Sequence, residues 1–252
     1  MKEKNFFIDN LKINCLIGGQ GPSFLILHGW GSKAERWQEV GGLLVQRGYR
    51  VIVPDLPGFG KSEKPNFAWG LDDYANFVDN LAVSLGLERF YLLGHSFGGA
   101  LAVKYALRFP KKVDKLFLVG AACLRKKSLK KKIFWLLTKP LKIFSFLPGF
   151  NFFKKGFYRF LVRKSDYPYA KEIMKDIYLR IIKEDLSDVL PRVEIPTLII
   201  WGEKDDLVPL KDAYLIKERI PNSYLAVIPR GDHHLEQKLP KELTKEIVGF
   251  LN

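Results

Sequence analysis

Cysteine is scarce in this chain: two residues, Cys15 and Cys123, among 252. Their spacing suits neither a disulfide framework nor a metal site, so both are expected to be buried or free thiols. No uninterrupted apolar run reaches the roughly 18 residues that a membrane-spanning helix needs. The apolar stretch inside MKEKNFFIDN is too short for a secretory signal core, and the expectation is a soluble, cytoplasmic protein. Acidic residues are missing between Asp114 and Asp166, while Lys115 to Lys164 carries fourteen Lys or Arg. That segment accounts for the whole net charge of +14, since the remainder holds 27 residues of each sign. A charge so confined, without a base-stacking or groove-reading module, argues against nucleic-acid binding.

What is present is an ordinary globular composition, 47% hydrophobic and 27% charged, at a length that suits one α/β domain. NFFI and LKINCLI, separated by Asp9-Asn10, read as a hairpin. FLILHG, RVIVPD, FYLLGHS, KLFLVG, TLIIWG and YLAVIP then read as buried strands. Helices are expected at about Glu35 to Arg47, Leu71 to Leu85, Ser96 to Phe109 and Pro240 to Leu251. Such alternation predicts a mainly parallel sheet with helices on both faces. It breaks once, after Gly120 and before Thr197, an interval too long for a crossover. Twelve aromatics between Phe134 and Tyr169, with Pro140, Pro148 and Pro168, mark a folded insertion. The expected division is a core of residues 1–122 and 192–252 with a cap at 123–191.

Chemistry concentrates at strand ends. GHSFG, Gly94 to Gly98, follows a strand and precedes a helix, the setting that exposes a serine oxygen above a sheet. A serine hydroxyl needs a base, and the base needs a partner that holds its tautomer. Of only four histidines, His28 and His95 sit at turns, leaving His233 and His234 after the last strand. Asp205 and Asp206 follow TLIIWG. Both pairs stay open on position alone, and the serine, acid, histidine order fits one particular fold.

On these residues the sequence resembles the α/β-hydrolase superfamily. LHGWG is similar to its oxyanion loop, DLPGFGKS to the loop after its fourth strand and GHSFGG to its nucleophile elbow. WGEKDDLVP resembles its acid motif, where the aspartate four residues after tryptophan serves, and that is Asp205. GDHHLEQKLP resembles its histidine motif, in which the imidazole lies seven residues before a proline, pointing to His233. The resemblance departs at Asp232, where the family more often has glycine, and at the second histidine, His234.

The resemblance implies an eight-stranded, mostly parallel sheet with a helical cap inserted after the sixth strand. It implies a serine hydrolase acting on hydrophobic carboxylic esters through an acyl-enzyme, with Ser96, His233 and Asp205 catalytic. Backbone N–H groups of Trp30 and Phe97 would form the oxyanion hole, and His28, Trp30, His95 and Phe97 are pocket candidates. No metal and no cofactor is implied. The elbow offers no aspartate nucleophile, which argues against relatives that depend on one. Two alternatives remain beside ester hydrolysis: cleavage of carbon–carbon bonds in vinylogous diketone acids, and a ligand receptor on the same fold. Within the insertion, Phe153, Phe157, Phe160 and Leu161 recur at helical spacing among basic residues. The expectation is aromatics packed onto the core; the alternatives are a basic face resting on anionic lipid and steering of an acidic substrate.

Overall fold

The computed structural model describes residues 1–125 and 173–251. The helix expected around Phe153 to Leu161, with its lipid contact, lies outside the described residues. Eight strands form one sheet: β1 (Lys2–Ile8), β2 (Leu11–Gly18), β3 (Ser23–Leu27), β4 (Arg50–Pro54), β5 (Phe90–His95), β6 (Val113–Val119), β7 (Thr197–Gly202) and β8 (Ser223–Ile228). Their spatial order is β1-β2-β4-β3-β5-β6-β7-β8. β2 pairs antiparallel with β1 and with β4, and every other pairing is parallel. The hairpin turns on Asp9 and Asn10, at φ 52° and 63°, a geometry whose twist matches that of the strands it joins.

The central strands carry continuous apolar runs, such as Val51–Val53 in β4 and Leu116–Val119 in β6, because both faces are covered there. Along β3, Phe24 and Ile26 face one hydrophobic cluster while Leu25 and Leu27 face the other, the two-residue period of a pleat. Helices α1 (Gln38–Gln46) and α7 (Pro240–Leu251) pack together on the first face. The second face is covered by α2 (Leu71–Ser84), α3 (Phe97–Arg108) and α5 (Leu210–Arg219), with α4 (Ile173–Ile181) adding Ile177 and Ile181.

All four expected helices form. The first is split: a 3-10 turn at Ala34–Trp37 leads into α1. α4, α5 and the short α6 (Leu235–Lys238) come in addition. β8 differs from expectation because it is an edge strand, and its Tyr224 is 60% exposed. Both cysteines are unpaired and buried, and burial pushes each thiol up to about 12. Among the described residues no helix is long and apolar enough to cross a membrane.

The long interval between β6 and β7 is tied at its two ends. Leu186 N–H donates to the Cys123 carbonyl at 3.0 Å, and Arg125 Nε donates to the Glu184 carbonyl at 3.1 Å. Leu186 and Leu190 join the same cluster as α2 and α3.

β3 and its neighbour β5 form the topological switch point: the chain leaves β3 toward β4 on one side and β5 toward β6 on the other, which opens a crevice at the strands' carboxyl ends. Gly29, Trp30 and Ser96 follow those two ends directly.

Candidate active site

Ser96 sits between β5 and α3 at φ 53°, ψ −115°, a left-handed conformation that costs a non-glycine residue about 1–3 kcal/mol. Its backbone is pinned: its N–H donates to the Val119 carbonyl at 3.0 Å, and its carbonyl accepts from Ala122 N–H at 2.9 Å. The turn closes only because its glycines lack side chains. A Cβ on Gly94 would lie 2.2 Å from the Gly98 carbonyl oxygen, and one on Gly98 would lie 2.1 Å from that of Leu27.

Asp205 lies in the turn after β7 with its side chain 1% exposed. Its Oδ1 accepts from the N–H groups of Leu207 and Val208 at 3.0 and 2.8 Å, so the carboxylate is oriented by backbone. Its Oδ2 meets His233 Nδ1 at 2.7 Å. Facing a carboxylate, Nδ1 carries the proton and donates, which leaves Nε2 with its lone pair. Asp206 is exposed.

His233 follows β8 and is buried, whereas the His234 side chain is 40% exposed. Asp232 turns away from the site: its Oδ1 accepts from His234 N–H at 2.9 Å and its Oδ2 pairs with Lys238. The residue that replaces the family's usual glycine therefore ties the loop that presents His233. Gly120, at the end of β6, was not singled out from sequence. At φ +50°, it approaches the pair so closely that a Cβ would stand 3.2 Å from His233 Nδ1 and 3.3 Å from Asp205 Oδ2. A glycine closing an apolar strand was the available signal.

Ser96 and His233 line one cavity of about 390 Å³ with Trp30, Phe97, His95 and Tyr178, within the range of small-molecule sites. Phe97 opens α3, so its N–H is among those a helix leaves without an intrahelical partner. The Trp30 ring packs edge-on to Phe59 at 4.8 Å and touches Tyr178 at 5.2 Å, bringing α4 to the cavity.

The two remaining histidines part company. His28 is fully buried beneath the cavity and is not on its wall. Its Nδ1–H donates to the Gly29 carbonyl at 2.7 Å and its Nε2 accepts from Leu56 N–H at 3.0 Å, joining the loops after β3 and β4. The pocket position expected for it is thus taken by a structural tie. His95 does line the cavity, and its Nε2–H donates to the His233 carbonyl at 2.9 Å. Burial lowers His28 to about 4 and His95 to about 3, so both rings are neutral near pH 7.

Asp55, inside DLPGFGKS, holds the same loops from below. It accepts from Ala34 N–H at 2.6 Å, Lys61 N–H at 2.9 Å and Asn14 Nδ2 at 2.9 Å.

Comparison with known proteins agrees with this architecture. The family model described as alpha/beta hydrolase fold matches residues 22–161. The chain is 30% identical to the 2-hydroxy-6-oxo-6-phenylhexa-2,4-dienoate hydrolase of Burkholderia cepacia, over 97% of this chain and 92% of that protein. It is also 30% identical to Lipase 3 of Moraxella sp., over 91% of this chain and 77% of the lipase. Among solved structures, an esterase from Exiguobacterium antarcticum superposes with a TM-score of 0.77 at 26% identity, covering 99% of each chain. Because the family match takes in both strands at the switch point and the turn that holds Ser96, this chain belongs to the alpha/beta-hydrolase fold family.

Proposed function

We propose that this hydrolase cleaves carboxylic esters of hydrophobic substrates through an acyl-enzyme on Ser96. One observation carries the reading: the 2.7 Å contact of His233 Nδ1 with Asp205 Oδ2, on the cavity that also presents the strained Ser96. Held in this tautomer, His233 accepts the Ser96 hydroxyl proton at Nε2 as Oγ attacks the carbonyl carbon. The N–H groups of Phe97 and Trp30 receive the oxyanion, and the start of α3 adds its dipole. The imidazolium then protonates the departing alcohol. Water, deprotonated by the same nitrogen, releases the acid and restores Ser96. Trp30, Phe97 and Tyr178 supply an apolar wall for the acyl chain.

The test is labelling with a fluorophosphonate probe, on wild type and on Ser96→Ala, followed by p-nitrophenyl esters of increasing acyl length. Labelling that disappears with Ser96 and a chain-length optimum are expected. A properly folded wild type that takes no label and cleaves no ester would overturn the reading.

A second reading, hydrolysis of a carbon–carbon bond in a vinylogous diketone acid, is favoured by Arg125. Its guanidinium lines the cavity, held by the carbonyls of Glu184 and Ile181, and would suit a substrate carboxylate. Turnover of a ring-cleavage product faster than any ester would select it.

A further inference from the structure

The cavity wall has two characters. Beside the apolar Trp30, Phe97 and Ile181 stands a polar end of His95, His234 and Glu236, where His234 Nδ1 lies 3.9 Å from Glu236 Oε1, and Ser32 lines the same cavity. Four side-chain atoms there are buried without a hydrogen-bond partner: Ser32 Oγ, His95 Nδ1, His234 Nδ1 and Glu236 Oε2. Native interiors rarely leave such atoms unmet, so four among the residues that line one cavity mark it as a place for a polar group.

The donor and acceptor roles narrow what that ligand is. His95 spends its single N–H on the His233 carbonyl, so its Nδ1 can only accept. Glu236 is 1% exposed; its Oε1 accepts from Gln237 Nε2 at 3.0 Å, and its Oε2 is a second acceptor. Ser32 supplies one donor. An anion would therefore face a carboxylate and a lone pair. A cation would share the cavity with Arg36 and Arg125. A hydroxyl group meets two of the four at once, donating to Glu236 or His95 and accepting from Ser32, without bringing a charge.

Position decides which half of the substrate brings it. The departing alcohol must reach His233 to be protonated, and the polar end adjoins that ring, with His95 and His234 centred 4.7 and 5.6 Å from it. We propose that Glu236 and Ser32 bind a second hydroxyl on the alcohol half of the ester, so that the preferred substrates are monoesters of diols or polyols. This rests on the ester reading above.

The experiment compares glyceryl butyrate with propyl butyrate, which share an acyl group, by acid release in a pH-stat. The expected wild-type preference in kcat/KM for the glyceryl ester is at least about tenfold, because the unmet acceptors penalise the alkyl analogue. Glu236→Leu and Ser32→Ala should each draw that ratio toward one, with fluorophosphonate labelling of Ser96 reporting that the variant is folded. Should Glu236→Leu fail to fold, Ser32→Ala decides. A wild-type ratio near one, or a preference that survives in the folded variants, overturns the subsite while propyl butyrate turnover leaves the ester reading standing. If neither ester is cleaved and Ser96 takes no label, both readings fall together.

Discussion

At the scale of single residues, the proposed mechanism depends on which nitrogen of His233 holds the proton, and Asp205 decides that. Asp205→Asn keeps the shape of the side chain but can present an amide N–H to Nδ1, which favours the wrong tautomer. In a Ser-His-Asp protease of another fold that exchange lowers kcat by about 10⁴-fold, and a loss of that order is expected here with ester kinetics as the measurement. His233→Ala should be equally damaging, whereas His234→Ala should retain turnover of simple alkyl esters within about tenfold. A His234 variant as dead as the His233 one would reverse the assignment. The residues named from sequence were those whose spacing is tied to chemistry: Ser96 in its elbow, Asp205 four after Trp201, His233 seven before Pro240. Glu236 and Gly120 were not legible, because their meaning lies in contacts with elements far along the chain. His28 misled for the same reason. Its place at a strand end is that of a pocket residue, and only the bonds to Gly29 and Leu56 show that it ties two loops.

At the scale of elements, the crossing of β5, α3 and β3 is the tightest point of the fold that serves the site. Gly98→Ala would set a methyl group 2.1 Å from the Leu27 carbonyl oxygen, against backbone that cannot rotate away. The cost expected from overpacking is at least about 1–3 kcal/mol, or a fall in Tm of several degrees for a chain of this size. Activity should fall further than stability, since relief of the clash moves the Ser96 turn. Thermal melts beside ester kinetics would check both, and an unchanged Tm would show that the contact relaxes freely. The strands were readable because both-face burial writes continuous apolar runs, as in LIIW of β7. α5 was not readable, since it buries little beyond Ala213 and Ile216 and leaves Tyr214 and Leu215 exposed. β8 was placed correctly but taken for an inner strand, because an edge position is set by sheet order and does not show in composition.

At the scale of the whole molecule, His28 and His95 make stability depend on pH. Both rings are buried and neutral, lowered from 6.5 to about 4 and about 3 by the desolvation that burial imposes. Well above pH 6.5 neither the folded nor the unfolded chain protonates them, and they contribute no pH dependence. Between 6.5 and about 4 the unfolded chain alone takes up the protons, so the free energy of unfolding falls as pH falls. Two such groups give a slope of roughly 2–3 kcal/mol per pH unit around pH 5, before any carboxylate adds to it. Below about pH 3 both states are protonated and this contribution to the slope ends. The direct measurement is proton uptake on unfolding near pH 5.5, from calorimetry in buffers of different ionisation enthalpy, where roughly two protons are expected from these histidines. An uptake near zero would mean that one or both rings are already charged in the folded protein. The site would feel that change as well: a protonated His95 Nδ1 would become a donor at the polar end of the cavity, beside the carboxylate of Glu236.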